Sequence, residues 1–313
     1  MNTQNLYRTY ASFLKEKYGE KVYKIPLHIP ADCPNRDGTL STGGCDFCAE
    51  SGTGFEMLSV KIPVKDQLQQ NIEYIGKKYG ADKFIAYFQN FSNTYLPFDQ
   101  FEQAMMDAIH SKVVEIAVST RPDCIEKKHL DLLHDIHHKQ GVEISLELGL
   151  QTVNYHTLYA VNRGHGIAEF VDAVLHIQEY GFGICTHVIL NLPGDQPMDI
   201  VETAKMISAL KIQQVKIHAL YLMKNTRMGI AYEKGLLDMI SMDEYSERVV
   251  QFLEHLHPQI VVQRIIGRTP SEDSLFVNWN TSWWKIKEAI CEKMTRENRY
   301  QGRLAGFLID NKK

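Results

Sequence analysis

The feature that most constrains this chain is a period. From residue 22 onward, short apolar runs rich in β-branched and aromatic residues recur about every 30 residues, with helical patterns between them. The runs are VYKIPLHI, DKFIAYFQ, VVEIAVST, VEISLELGL, FGICTHVILNL and QQVKIHALYLM, six before residue 223. Strands that alternate with helices build a parallel sheet with covered faces, an α/β fold. Six strands fall short of the eight of a closed barrel. Periodicity alone therefore leaves an open, partial barrel and a doubly wound sheet both standing. A further helix, MDEYSERVVQFLEHL, precedes IVVQRIIG, and there the pattern breaks. The expected division is a body of residues 1–258 and a C-terminal extension of residues 259–313.

The period has one chemical interruption. Residues 31–56 form a long segment rich in Gly, Asp, Asn, Ser and Thr, and three of the six cysteines lie in it. Loops this long inside a compact domain are usually functional. Cys33, Cys45 and Cys48 are spaced C-x11-C-x2-C; Cys124, Cys185 and Cys291 stand alone. Thiolates are soft ligands that favour zinc or iron–sulfur clusters. Three readings compete. A closed zinc site needs a fourth ligand, for which His28 is the candidate. A redox dithiol at Cys45 and Cys48 leaves Cys33 idle. A [4Fe-4S] cluster held by three cysteines leaves one iron open to a small molecule.

Composition excludes other classes. Six cysteines in 313 residues are too few for a disulfide scaffold. No apolar run approaches the ~18 residues of a membrane helix, and the N-terminus lacks a signal-peptide core. A cytoplasmic protein without membrane contact is expected.

The loop CPNRDGTLSTGGCDFC resembles that of the radical S-adenosylmethionine (SAM) superfamily. Its spacing is longer than the usual C-x3-C-x2-C, as it also is in the Elongator catalytic subunit family. The wording is similar to the YtqA/YhcC group within that superfamily. YFQNFSNTY, STRPD, LELGLQT, VNRGH, HVILNLPGD and QRIIGRTP extend the resemblance along nearly the whole chain.

The resemblance implies a partial (β/α)6 TIM-like barrel with a small C-terminal extension. It implies a [4Fe-4S] cluster on Cys33, Cys45 and Cys48, with SAM on the open iron. Reductive cleavage of SAM then gives a 5′-deoxyadenosyl radical that abstracts hydrogen, the electron coming from a reductant such as flavodoxin or ferredoxin. Phe47 matches the aromatic near the adenine. Gln89 and Asn90 match the strand end that meets the SAM amino group, and Ser119 and Thr120 end the third strand. Glu147 is the candidate for the ribose hydroxyls, with Gln151 as companion. Arg163 resembles the arginine that holds the SAM carboxylate. Leu192, Pro193 and Gly194 match the adenine-facing turn, although family members usually carry glycine where this chain has Asn191.

Other residues have blander readings. Arg121 reaches an anion or pairs with Asp123. His187 and His218 read as satisfied core histidines, and His137 and His138 as a solvated helix end. Cys185 and Cys291 read as buried spectators. Net charge is −4, yet residues 259–313 hold ten Lys/Arg against six Asp/Glu. Trp279, Trp283 and Trp284 precede Lys285, Lys287, Lys293, Arg296, Arg299 and Arg303. They either anchor the last helix or stack bases and meet phosphates. The resemblance points to tRNA, at the C5 side chain of the wobble uridine. A small-molecule substrate is the alternative, and a zinc-stabilised RNA-binding protein the second.

Overall fold

The computed structural model, which describes residues 6–49, 57–268 and 273–306, carries the alternation into three dimensions. Residues 50–56 of the cysteine segment, and Thr269 and Pro270 of QRIIGRTP, lie outside the described residues. The six expected strands are β1 (Val22–Leu27), β2 (Lys83–Phe88), β3 (Val113–Thr120), β4 (Glu143–Gln151), β5 (Gly183–Ile189) and β6 (Gln214–His218). A two-residue strand, β7 (Leu222–Met223), leaves the sheet. β8 (Val261–Arg264) then pairs parallel with β6, and β9 (Ser274–Phe276) pairs antiparallel with β7.

The large sheet runs in the order β1-β2-β3-β4-β5-β6-β8, parallel throughout. It is an open barrel of seven strands rather than six. The seventh comes from the segment expected to begin the C-terminal extension, so the sheet continues past residue 258.

The helices are α1 (Tyr10–Tyr18), α2 (Val64–Tyr79), α3 (Phe98–Asp107), α4 (Lys127–Gln140), α5 (Tyr155–Ala160), α6 (Ile167–Glu179), α7 (Pro197–Ala209), α8 (Arg227–Glu233), α9 (Met242–His255) and α10 (Trp283–Arg296). Alternation along the strands separates two faces. Phe84, Ala86 and Phe88, with Ile116, Val118, Leu146 and Leu148, pack outward against Leu133, Phe170, Ile207 and Phe252 in the main core. The opposite face carries Ile85, Tyr87 and Ala117, which pack with Leu14 of α1 and with Val22. The first helix thus covers part of the inner face.

The open edge is managed. Val262 donates its N–H to Arg8 O at 2.8 Å, so the segment before α1 lies along β8. Lys24 Nζ donates to Gln263 Oε1 at 3.0 Å, a side-chain link between β1 and β8. Unpaired edge groups are a liability that such cover removes. Among the described residues, no helix is long and apolar enough to cross a membrane.

The tryptophans have three different fates. Trp279 donates Nε1–H to Ile240 O at 2.7 Å, and its ring lies 4.9 Å from that of Tyr245. It is an anchor, held in a left-handed turn with Asn278 and Asn280. Trp283 is half-buried, and Trp284 is 51% exposed.

Part of the basic tail is spent internally. Arg299 pairs with Glu247 at 2.8 Å and with buried Glu254 at 2.7 Å; Lys293 pairs with Glu247 at 2.9 Å, and Arg303 with Glu254. Arg299→Ala leaves the buried Glu254 carboxylate with a single cation, Arg303. We expect a loss of about 2–4 kcal/mol in urea unfolding. A loss below about 0.5 kcal/mol would show the network to be ornamental.

Candidate active site

The cysteine loop follows β1 and is clamped from two sides. Asn162 donates to Gly44 O at 2.9 Å and to Ser41 Oγ at 3.0 Å, and Asp46 N donates to Val161 O at 3.0 Å. From the other side Arg227 reaches Asp46 at 2.9 Å and Thr42 O at 2.9 Å. The VNRGH motif is therefore a loop clamp as well as a source of Arg163. Its Gly164 has φ +78°, and a Cβ there would meet Asn35 Oδ1 at 2.4 Å. Glycine is needed on both counts. Asn35 is fully buried, bonds Asn162 O at 2.5 Å, and presents Nδ2 to Cys45 Sγ at 3.6 Å.

Each thiol faces a guanidinium. Arg121 Nη1 lies 3.9 Å from Cys33 Sγ, Arg163 Nη1 3.5 Å from Cys45 Sγ, and Arg36 Nη1 3.7 Å from Cys48 Sγ. Burial pushes the Cys33 thiol up, and it pushes Cys48 up to about 11, with the neighbouring Cys45 adding to both. The three sulfurs do not all lie within 4.8 Å of one another, whereas Glu147, Cys185 and His187 each bring a ligand atom that close to the other two. Ligands of one tetrahedral zinc, with Zn–S near 2.3 Å, would lie about 3.8 Å apart. His28 does not line the cavity that holds the cysteines, and its Nδ1 lies 3.2 Å from Leu58 O. The zinc reading therefore fails on the spacing of the sulfurs. Cys33 stands in the same cavity as Cys45 and Cys48, which leaves a two-cysteine redox pair incomplete as an account.

The cavity above the sheet measures about 520 Å³. It is lined by the three cysteines, by Phe47, Gln89, Asn90, Ser119, Thr120, Glu147, Gln151 and Arg163, and by residues of β6 and β8. Eleven of the thirteen expected site residues thus come together. Leu192 instead packs in an apolar cluster with Val161, Leu220 and Met228, against which Phe47 rests. Gly194 approaches Thr157, and neither it nor Leu192 lines the cavity. Arg121 forms a fork with Asp123, at 2.9 and 2.7 Å. Asn191 accepts Leu220 N–H at 2.6 Å and so splints the ends of β5 and β6.

Part of the cavity wall is a polar layer built around Glu147, of which Lys24, Tyr87, Lys216 and Gln263 were not anticipated from the sequence. The Glu147 carboxylate is fully buried. Oε1 accepts from Lys24 and from Gln263 at 3.2 Å; Oε2 accepts from Lys216 and lies 2.7 Å from His187 Nε2. Its four acceptor sites are filled by the protein. Burial opposes ionisation of Glu147, but Lys216, Lys24 and His187 outweigh it and hold the carboxyl well below its ordinary range. Tyr87 lies between the two ammonium groups, 4.4 and 4.5 Å from its ring, and its hydroxyl meets Ser119 and Lys216, each at 3.0 Å. His187 and His218 stack at 5.1 Å, and Arg264 reaches His218 Nδ1 at 2.8 Å. These histidines are half-buried and partnered, and they line the cavity rather than the core. The available signal was a lone lysine inside each of two apolar strands, VYKIPL and QVKIH, where lysine is depleted.

Comparison with known proteins decides the family. Residues 38–207 match the Radical SAM superfamily, and residues 212–296 match the Radical_SAM C-terminal domain. The chain is 35% identical to YtqA of Bacillus subtilis, over 96% of this chain and 94% of that protein. It belongs to the radical SAM superfamily. The radical SAM fold is seen also in the likeness to Elp3 of Methanocaldococcus infernus: TM-score 0.68 at 16% identity, over 90% of this chain and 64% of that one. A shorter stretch, 55% of this chain and 32% of that protein, is 25% identical to the tRNA uridine(34) acetyltransferase of Methanocaldococcus jannaschii.

Radical SAM proteins use a [4Fe-4S] cluster and SAM. The residues present fit both. Three thiols spread more widely than one ion requires, each beside a cation, suit a cluster with one open iron. Arg163 is buried with Nε unpartnered, a donor left for an anionic ligand end.

Proposed function

We propose that this radical SAM protein is a cytoplasmic tRNA-modifying enzyme. It acts on the C5 side chain of the wobble uridine. The N–CH2 carbon in the carboxymethyl arm of a carboxymethylaminomethyl-type group would lose a hydrogen atom, and the radical left there a second electron, with the N–H proton released. The two electrons end with SAM, which becomes methionine and 5′-deoxyadenosine, and water would hydrolyse the resulting imine to the aminomethyl group and glyoxylate. The observation that carries this reading is the 25% identity to a relative named for uridine 34 of tRNA. The six free cysteines suit a reducing compartment.

In this reading Cys33, Cys45 and Cys48 hold the cluster, with a protein reductant such as flavodoxin or ferredoxin as electron source. Cluster and SAM together supply one-electron cleavage of SAM and hydrogen-atom abstraction. The chain's own residues bind, orient and shield. Arg163 takes the SAM carboxylate, and Gln89 and Asn90 its amino end. Phe47 rests against the apolar cluster and meets the adenine. Because Glu147 is saturated, the ribose contact passes to Gln151, the inward-facing end of β4. Glu147 supports it through the polar layer.

One observation favours a small-molecule substrate instead: Lys293, Arg299 and Arg303 are tied to carboxylates rather than presented to a phosphate backbone. A single experiment separates the two. Protein reconstituted with iron and sulfide under nitrogen is reduced and given SAM, with and without bulk tRNA. We expect 5′-deoxyadenosine to rise at least about tenfold with tRNA, and nucleoside mass analysis to show loss of the carboxymethyl mass. SAM cleavage that is indifferent to tRNA, with every nucleoside unchanged, would overturn the tRNA reading and favour the small molecule.

A further inference from the structure

Three of the cations on the cavity wall already have a counter-charge. Lys216 shares Glu147 with Lys24, Arg121 holds Asp123, and Arg36 lies 3.5 Å from Asp32. Arg163 faces Cys45 and is assigned to SAM. Arg264, the last residue of β8, is different. It lines the cavity, and among the described residues no carboxylate pairs with it. Its Nη2 donates to His218 Nδ1, and its Nε is buried without a partner. Burial and the Arg264 charge push His218 well below its ordinary value, so the ring is a neutral acceptor that orients the guanidinium. Lys216, His187 and Glu147 are the other titratable groups facing that ring.

The backbone also makes room for this guanidinium. A Cβ on Gly267 would stand 2.9 Å from its central carbon, 3.1 Å from Nη1 and 3.2 Å from Nε. Any side chain there would press on the group. A half-buried guanidinium, oriented on one nitrogen, cleared on one side and without a paired carboxylate among the described residues, is an incomplete ion pair.

We propose that Arg264, oriented by His218 and cleared by Gly267, is the subsite for a carboxylate carried by the substrate. The planar guanidinium fork matches a carboxylate and fixes its orientation as well as its charge. The carrier rests on the tRNA reading, in which the carboxymethylaminomethyl arm ends in a carboxylate. The subsite itself rests on Arg264 alone.

Two measurements on the reconstituted holoprotein test it. In the first, phenylglyoxal labelling of Arg264 is followed by peptide mass spectrometry. We expect acetate to protect Arg264 at least about tenfold more strongly than its neutral isostere acetamide. Equal protection by both, or none, overturns the subsite. Protection by inorganic phosphate at lower concentration than acetate overturns the carboxylate assignment in favour of a phosphate. Gly267→Ala, which keeps Arg264 but crowds it, should weaken the acetate protection.

In the second, kcat/KM is compared for tRNA bearing the carboxymethylaminomethyl group and the same tRNA bearing its carboxamide. Wild type should prefer the acid by about 10- to 100-fold. Arg264→Gln should bring that preference within about threefold, and Arg264→Lys, which restores charge without the fork, should recover part of it. An unchanged preference in Arg264→Gln overturns the proposal. If neither tRNA reacts while acetate still protects Arg264, the tRNA reading fails and the carboxylate subsite stands.

Discussion

Cys45→Ala will take SAM cleavage below detection while leaving the fold intact. Cys45 is the most enclosed thiol of the loop, with Asn35 at 3.6 Å and Arg163 at 3.5 Å from its sulfur. Loss of an outer partner of a metal ligand typically costs 10–100-fold, so loss of the ligand itself must exceed that. We expect a drop of more than about a thousandfold in 5′-deoxyadenosine formation, with iron and sulfide content falling together. The loop should still close, because its clamps are backbone and side-chain bonds made by Asn162, Val161 and Arg227 rather than by the thiol. The melting temperature of the metal-free variant should therefore match that of metal-free wild type within a few degrees. Undiminished iron–sulfur content in Cys45→Ala would remove the cluster from this loop.

Glu147→Ala will lower stability by about 3–5 kcal/mol at pH 7, the loss typical of removing one partner from a buried ion group. Its carboxylate is the counter-charge for both Lys24 and Lys216, which are 16% and 8% exposed. Without it, two ammonium groups flank Tyr87 with no carboxylate between them. The pH dependence has a definite sign. The folded-state value of Glu147 lies well below its ordinary 4.5. Its contribution is therefore fully present above pH 4.5 and fades as pH falls through the folded value. The gap between wild type and variant in urea unfolding should hold between pH 7 and 5 and narrow below 4.5. Glu147→Leu combined with Lys216→Met and Lys24→Met should recover most of the loss. A loss under about 1 kcal/mol in Glu147→Ala, accompanied by weakened SAM binding, would restore Glu147 to the ribose contact.

Legibility differed between the two halves of the site. Cys33, Cys45 and Cys48 stood out because one continuous loop carries them and local spacing limits how far apart they can lie, whereas Phe47 was marked by the family resemblance alone. Gln89, Ser119, Thr120 and Gln151 were readable because catalytic groups on parallel sheets gather at strand ends. Lys24, Tyr87 and Lys216 were not, because each was a single polar residue in an apolar run on a different strand, and Arg264 was not, because it ends a four-residue strand beside Gln263. The seventh strand was obscured for a related reason: VVQR is four residues long and is followed by an irregular segment. Charge counting left the basic tail open between two readings because it does not see partners. Glu247 and Glu254, about 50 residues upstream of Arg299, absorb part of it.

By itself the sequence determined the alternation of strand and helix, hence the parallel sheet, and the loop on which three thiols meet. Both follow from short-range physics: a side-chain period of two or 3.6, and the reach of a short chain segment. Only the tertiary structure decided which inward-facing side chains share a level. Alternation says which face a residue takes, but the stagger between neighbouring strands is set by long-range hydrogen-bond register. The pairing of Glu147 with Cys185, and of His187 with Lys216, brought Lys24, His187, Lys216 and Gln263 around one carboxylate. The same register left Arg264 beside His218 with no carboxylate paired to it among the described residues, because the strand next to it in the sheet supplies an imidazole there instead.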